Sequence, residues 1–481
     1  MSSETIGFAL LLLGVLLLVA KLVRVKWRLA QKLFLPGSII GGGIALLLGP
    51  DVFGNIAAAL GTDRFTEGGL FGGEVQQVWS ELPGLLISVV FAGLFLGRRM
   101  PKAREAGRLA GPQIAFGLTL SSGQYVLGLL LALLVLSPVF GLPPLTGALI
   151  EIGFEGGHGT AGGLGNTFEQ FGFAQGQDLA LGMATIGLLS GIVIGIVLIN
   201  WGARKGHAKE LSADSAPTVS ERMGLVEKEN RRSAATLTVH PSSIEPLTLH
   251  FGFLALAIII GQLLLWGLQA VENALWVDTI EIFGYVPLFP LAMLGGILLQ
   301  FVINRFDRAE VVDRMMIERI QGFALDMLII AAMGTLSLEV IADNIVPFVL
   351  LAACGIAWSL GAFLLLAPRM LPDYWFERGV GDFGQSMGVT ATGLILMRIA
   401  DPELRTPAYP AFGYKQLVLE PFFGGGLVTA AAIPLIVQFG AIPLLVVMTA
   451  LLVAALLSGL LYFGRRGRSA PAEAESGSAQ E

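Results

Sequence analysis

The chain has 481 residues, of which 54% are hydrophobic and 14% charged, and its mean hydropathy is +0.75. Soluble globular proteins carry about 25% charged residues, so this composition excludes an ordinary soluble domain and predicts an integral membrane protein. The net charge of −6 and the lack of a basic stripe exclude nucleic acid as an expected partner. The single cysteine excludes an internal disulfide, and no Cys/His cluster has the spacing of a metal site.

Long apolar stretches follow one another along the chain. A helix that crosses the hydrocarbon core needs about 17–25 mostly apolar residues. The stretches that meet this length are roughly 5–22, 34–50, 82–97, 109–136, 178–202, 246–269, 283–303, 322–341, 344–367, 416–438 and 441–463. Two others, 145–175 and 379–412, are only partly apolar and are rich in glycine.

The charges of the first loops predict an orientation. The loops around residues 21–32 and 98–108 are basic, which places them in the cytoplasm by the positive-inside rule, whereas 51–81 is mainly acidic and is placed outside. The N-terminus is therefore predicted to lie outside. Residues 145–175 must then leave and return on the outer side, as a re-entrant element or a broken pair of half-helices.

The second half has the opposite sense. Residues 203–245 are polar and predict a cytoplasmic linker between a first repeat, 1–202, and a second repeat, 246–440. In the second repeat the glycine-rich stretch 379–412 returns on the inner side. The last span, 441–463, is predicted to be an extra helix. Residues 464–481 are predicted to be a disordered tail, and the basic run GRRGR places this tail in the cytoplasm.

Each half thus contains five crossings and one re-entrant hairpin. This predicts an all-α polytopic membrane protein built as an inverted repeat, a layout found in many secondary transporters. Short internal similarities agree with it: LPGSIIGGGIALLLG (35–49) resembles LFPLAMLGGILL (288–299), and GHGTA (157–161) resembles MGVTA (387–391).

The first glycine-rich element reads FEGGHGTAGGLGNTF from residue 154 to 168. Non-helical backbone survives in lipid only where it is buried in protein or faces a wet cavity. Backbone N–H groups at the tip would attract a carboxylate, and freed oxygens would suit Na⁺. The alternatives are a helix contact or an external loop. The candidate residues are Gly157, His158, Gly159 and Thr160 for substrate and Asn166 for sodium.

His158 is the one histidine of four placed within a membrane segment. Substrate contact, proton relay and bracing of the hairpin remain open for it. Glu151 and Glu155 stand four residues apart on one helical face, where like charges repel. They need a cation, protonation or a position near the outer water. We favour the interfacial position for Glu151 and keep Glu155 as a candidate for sodium binding or coupling.

The second glycine-rich element reads RGVGDFGQSMGVTATGLILM from residue 378 to 397. Thr390 and Thr392 would face different directions on a helix, so an unwound segment would use both better; the alternative is that they bond helix carbonyls. Asp382 is a candidate for an α-ammonium group or Na⁺. The substrate candidates in this element are Gln385, Ser386, Thr390 and Thr392.

The sequence lacks a GxxxxGK[ST] phosphate loop and a nucleophile–base pair, so neither an ATP-driven pump nor an enzyme is expected, and no cofactor is. A channel lined by paired half-helices is the alternative to a carrier. The acidic and hydroxyl-rich character of both tips favours binding sites, and hence a carrier.

Three runs resemble the bacterial sodium/glutamate symporter family: GGHGT (156–160), SMGVTAT (386–392) and PFFGGGLVTA (421–430). The resemblance covers the layout of most of residues 30–440. It implies Na⁺-coupled symport of an anionic or zwitterionic solute in the bacterial inner membrane, by an elevator-like movement in a homodimer. Asp382, Phe383 and Leu396 stand where the family usually has histidine, cysteine and asparagine. The expected solute is therefore glutamate or a related small carboxylate or amino acid.

Overall fold

The computed structural model describes residues 2–98, 103–210, 220, 223–276, 281–307, 309–402 and 405–464. All regular secondary structure in these residues is helical, which confirms the all-α prediction. Within this part of the chain, nine helices are long and apolar enough to cross a membrane. The chain is therefore an integral membrane protein.

We number the main helices in chain order. Those of the first half are α1 (Ser3–Lys26), α2 (Gly37–Leu48), α3 (Gly73–Ala92), α4 (Ala103–Leu131), α5 (Leu149–Phe154), α6 (Gly157–Gly163), α7 (Gly165–Gln170) and α8 (Gln175–Lys205). Those of the second half are α9 (Pro246–Leu275), α10 (Leu288–Phe306), α11 (Arg314–Gly334), α12 (Ile345–Leu365), α13 (Trp375–Ala400), α14 (Ala408–Leu419), α15 (Leu427–Phe439) and α16 (Ala441–Leu457).

The glycine-rich stretch 145–175 is divided into the short helices α5, α6 and α7. The break between α5 and α6 requires a left-handed backbone at Gly157, where φ is +72°. Side chains other than glycine are strained in that conformation. The glycines predicted this interruption.

Helix α13 is broken in its middle, as the second glycine-rich stretch predicted. Gly388 has φ −160° and ψ 46°, and Val389 has φ 61° and ψ 173°, so neither is helical. The two arms lie against each other, because a Cβ atom added at Gly384 would be 2.9 Å from the Cα atom of Gly393. Val389 is β-branched and has positive φ, a combination that costs energy and is found at functional tips.

Small residues let α8 approach α13 closely. Cβ atoms added at Gly187, Gly191 and Gly195 would lie 2.4–2.7 Å from atoms of Met387 and Leu396. Glycine at every fourth position forms one flat stripe along a helix, and such stripes favour close packing of membrane helices. The broken helix α13 is therefore held along its length by α8.

Two predicted boundaries are wrong. The span 416–438 is not continuous: α14 ends at Leu419 and α15 begins at Leu427. Gly424 and Gly425, with φ +69° and +103°, turn the chain between them. In addition, α3 already begins at Gly73, so part of the stretch 51–81, predicted as an external loop, is helical.

Helices of the first half pack against helices of the second half. Helix α2 contacts α11, and α10 contacts α3. Both contacts use glycine: a Cβ atom at Gly42 would lie 2.7 Å from Met333, and one at Gly296 would lie 2.3 Å from the carbonyl oxygen of Ala92. These glycines belong to the two similar stretches 35–49 and 288–299.

The chain between α8 and α9 contacts the helical body, since Lys21 Nζ donates to the carbonyl oxygen of Gly224 at 2.5 Å. The linker and repeat boundaries remain predictions. Parts of the predicted linker, 211–219 and 221–222, lie outside the described residues, as does the predicted tail apart from Gly464.

Candidate functional site

A cavity of about 530 Å³ lies between the two glycine-rich breaks. Glu155 to Gly159 line one side and Gln385 with Gly388 to Ala391 line the other. Helices α3, α8, α11 and α14 complete the walls. The cavity continues from the breaks to Arg98, Arg314 and Glu318. The two breaks are more than 200 residues apart in the sequence, so only tertiary packing brings these groups together.

The two breaks touch directly. A Cβ atom added at Gly157 would lie 2.4 Å from Val389 Cγ1. Both residues have positive φ, so both tips are tight turns, and the glycine leaves room for the valine. Gly157 is thus needed twice, once for its own backbone and once for the approach of the other tip.

The polar residues of the first element divide into two groups. His158 lines the cavity, and its Nε2 atom lies 3.0 Å from Thr185 Oγ1 on α8. Gly157 and Gly159 line the cavity with their backbone. Thr160 is fully buried beside it, and its hydroxyl donates to the carbonyl oxygen of Gly156 at 3.0 Å. Asn166 is exposed and is not among the lining residues.

The second element divides in the same way. Gln385 and Thr390 line the cavity, and Thr390 Oγ1 accepts a hydrogen bond from Gln416 Nε2. Ser386 and Thr392 are buried and are not among the lining residues, and their hydroxyls donate to the carbonyl oxygens of Phe383 and Gly388. For Thr392 this is the carbonyl bonding that was considered as the alternative.

Asp382 is paired inside the protein. Its Oδ1 atom lies 3.1 Å from Lys415 Nζ, and the two side chains are 0% and 1% exposed. Its Oδ2 atom accepts from Gln113 Nε2 at 2.6 Å. Lys415 also donates to Gln385 Oε1 at 2.8 Å. Asp382 is thus satisfied by α4 and α14 and does not line the cavity.

Glu155 lines the cavity and is only half satisfied. Its Oε1 atom accepts from Ser121 Oγ at 2.7 Å and from Gln385 Nε2 at 2.9 Å. Its Oε2 atom is buried and has no hydrogen-bond partner among the described residues. A buried carboxylate oxygen without a donor or cation is costly. This atom is the strongest candidate in the cavity for contact with a cation.

Glu151 does not occupy the interfacial position that we favoured. It is fully buried, and its carboxylate accepts from Tyr125 OH at 2.7 Å, Thr429 Oγ1 at 2.8 Å and the backbone N–H of Gly424 at 2.8 Å. The interfacial interpretation was wrong because these donors come from α4, α15 and the turn before α15. A carboxylate with this many donors can remain buried.

Sequence reasoning missed several members of this network. Gln113 and Ser121 lie within the predicted span 109–136, where buried polar side chains signal a functional or bracing role. Lys415 lies between the predicted stretches 379–412 and 416–438 and was not assigned to either. Arg98 and Arg314 line the other end of the cavity, and of these two Arg98 was used only to orient its loop.

The arrangement suits binding. It offers a carboxylate oxygen without a partner, backbone groups at two tight turns and hydroxyl and amide groups on a half-enclosed wall. Such sites hold small polar solutes and hard monovalent cations without covalent chemistry. Among the described residues no group of three or more His, Cys, Asp and Glu is placed to hold a metal ion.

Comparison with known families agrees with this kind of site. No curated protein matches the chain. A family model described as "Sodium/glutamate symporter" matches residues 4–400, which is most of the chain and includes both breaks. The family implies a small solute as substrate and Na⁺ as the coupling ion. The chain belongs to the sodium/glutamate symporter family and is a membrane transporter.

Proposed function

We propose that this transporter couples the entry of Na⁺ to the uptake of glutamate or a related small carboxylate or amino acid across the bacterial inner membrane. The observation that carries the proposal is Glu155. Its Oε2 atom is buried in the cavity between two broken helices and has no hydrogen-bond partner among the residues that the structure describes. In a carrier of amino acids this oxygen would contact Na⁺ or the α-ammonium group of the solute.

The other cavity groups take complementary roles. The backbone of Gly157 and Gly159 and the side chains of Gln385 and Thr390 hold the polar atoms of the solute. His158, which bonds Thr185, orients the first tip. Thr160, Ser386 and Thr392 brace the two breaks from behind. Asn166 stays a sodium candidate from sequence alone, at a second and exposed position.

The architecture proposed for this function is an inverted repeat with one re-entrant hairpin in each half. The reciprocal contacts of α2 with α11 and of α10 with α3 support it. With the N-terminus outside and the C-terminus in the cytoplasm, the basic residues Arg98 and Arg314 lie at the cytoplasmic end of the cavity. The cavity would then face the cytoplasm, as one state of an elevator-like cycle. A homodimer is proposed from the family resemblance.

A thermal-shift assay tests the coupling of solute to Na⁺. Purified protein is heated with a panel of dicarboxylates and amino acids, with Na⁺ or with choline as the cation. A ligand that binds the folded state raises its apparent stability, so one solute class is expected to raise Tm only when Na⁺ is present. A solute shift of equal size in choline would contradict Na⁺ coupling.

Glu155→Gln tests the site. The amide keeps an acceptor for Ser121 and Gln385 but removes the charge, so the fold is expected to persist. The apparent affinity for the solute in the presence of Na⁺ is expected to fall by tenfold or more, which corresponds to at least about 1.4 kcal/mol of binding free energy. Glu169→Gln is the matched control, because Glu169 is exposed and is not among the lining residues. Equal loss in both variants, or in neither, would remove Glu155 from the site.

The channel alternative is distinguished by counterflow. A carrier loaded inside proteoliposomes exchanges labelled solute without a net gradient, and the exchange saturates. Flux that rises linearly with solute concentration and shows no exchange would favour the channel.

A further inference from the structure

A buried ammonium group lies in the core beside the cavity. Lys415 Nζ is 3.1 Å from Asp382 Oδ1 and 2.8 Å from Gln385 Oε1. It also stands over the ring of Phe412, 4.6 Å from its centroid. Two oxygens and one aromatic face therefore surround a single positive charge, as they would surround a bound monovalent cation.

The position is shaped to admit the lysine side chain. A Cβ atom added at Gly117 on α4 would lie 2.8 Å from Lys415 Cδ, so the glycine leaves the space for the aliphatic stem. Gln113, on the same helix, donates to the other oxygen of Asp382 at 2.6 Å. Gln113 thus holds the carboxylate of Asp382 in place, and Lys415 neutralises its charge. Lys415 lies beyond residue 400, the last residue matched by the family model.

We propose that this is a monovalent-cation position in the transport core that is filled by the protein's own Lys415 ammonium, so that Asp382 is closed to free Na⁺. The ammonium and a sodium ion carry the same charge and use the same oxygens. Free Na⁺ is then left to Glu155, whose Oε2 atom has no partner in the described structure. This assignment to Glu155 rests on the proposed function, whereas the filling of the Asp382 position does not.

Removing the ammonium should open the position to Na⁺. Lys415→Met keeps the aliphatic stem, lacks the terminal nitrogen and removes the charge, so Asp382 loses the cation that it contacts directly. Arg378 is linked to Asp382 through Gln113, so one buried carboxylate oxygen is left without its ammonium partner. An uncompensated buried charge is strongly destabilising, so this variant should recruit a sodium ion. The double variant Lys415→Met/Asp382→Asn removes both charges and should recruit none. Lys21→Met is the control, because Lys21 is a lysine bonded to backbone carbonyls at the end of α1.

The experiment measures apparent stability against Na⁺ concentration, with choline chloride holding the ionic strength constant. The slope of stability against the logarithm of Na⁺ concentration reports the number of ions bound by the folded state. Lys415→Met is expected to bind about one more Na⁺ than the wild type. The double variant and the control are expected to return the wild-type number.

Two results would overturn the proposal. One is a wild-type slope for Lys415→Met. The other is a double variant that binds about one Na⁺ fewer than the wild type, because Asp382 would then hold a free ion in the native protein. If Lys415→Met yields no folded protein in any salt, the double variant decides alone. The titration uses Na⁺ without solute, so a wild type that responds to none of the dicarboxylates and amino acids in the panel would refute the proposed function without affecting this test.

Discussion

The contact between the two tips can be tested by adding one methyl group. Gly157→Ala places a Cβ atom 2.4 Å from Val389 Cγ1, well inside van der Waals contact. Gly141→Ala is the matched control: Gly141 has φ +71°, close to the +72° of Gly157, but a Cβ atom there would meet nothing within 4 Å. The two substitutions therefore share a backbone cost and differ in the contact.

The expected losses in the free energy of unfolding follow from the backbone strain and from the new contact. A left-handed backbone costs an alanine about 1–2 kcal/mol in both variants. Overpacking a tight contact adds roughly 1–3 kcal/mol, and only Gly157→Ala carries this addition. Val389→Ala removes the Cγ1 atom involved. The double variant Gly157→Ala/Val389→Ala should therefore recover most of the added cost and approach the stability of Gly141→Ala.

The assay is apparent thermal stability of the purified protein. The wild type, Gly157→Ala, Val389→Ala and the double variant form a double-mutant cycle, and Gly141→Ala is compared beside it. A coupling between Gly157→Ala and Val389→Ala of about 1 kcal/mol or more is expected. The Na⁺-dependent solute shift should weaken in Gly157→Ala and not in Gly141→Ala, because only the former displaces a cavity wall. Additive effects of Gly157→Ala and Val389→Ala would show that the two tips do not touch. The two breaks would then not meet at the cavity.

Two further pairs of substitutions test a helix contact and a buried hydrogen bond around the site. In Gly123→Ala the new Cβ atom would lie 2.1 Å from the indole of Trp358, so a loss of roughly 1–3 kcal/mol in the free energy of unfolding is expected. Gly361→Ala is the control, because its Cβ atom would meet nothing within 4 Å among the described residues, and it should be neutral or slightly stabilising. Equal melting temperatures of the two variants would contradict the helix contact. Thr429→Val removes a buried hydroxyl that donates to the carboxylate of Glu151 at 2.8 Å, and it should lower the free energy of unfolding by about 1.5–3 kcal/mol. Thr449→Val, at an exposed hydroxyl, should cost far less, and similar losses in both would refute the role of that hydrogen bond.

The breaks could be predicted from sequence because their cause is local. Glycines at residues 154–168 and 378–397 make continuous helix unfavourable, and α5–α7 and α13 are interrupted there. The same logic was not applied to Gly424 and Gly425, and the predicted span 416–438 was consequently wrong. Apolar length alone does not distinguish a continuous helix from two helices that meet at a glycine turn.

The side-chain partners could not be predicted in this way. Glu155 bonds Gln385, and Asp382 bonds Gln113 and Lys415, across separations of 33 to 269 residues. Such pairs depend on how the two halves pack, which one sequence does not reveal. The burial of Glu151 has the same origin, since two of its donors lie more than 270 residues away.

The most direct test of the central claim is uptake of labelled glutamate, and of the related carboxylates that stabilise the protein, into proteoliposomes. An inward Na⁺ gradient should drive saturable accumulation above the external concentration. Collapsing the gradient, or the substitution Glu155→Gln, should abolish accumulation. Accumulation that is unaffected by removing the Na⁺ gradient, or solute flux that never exceeds equilibrium with Na⁺ present, would contradict Na⁺-coupled symport through this cavity.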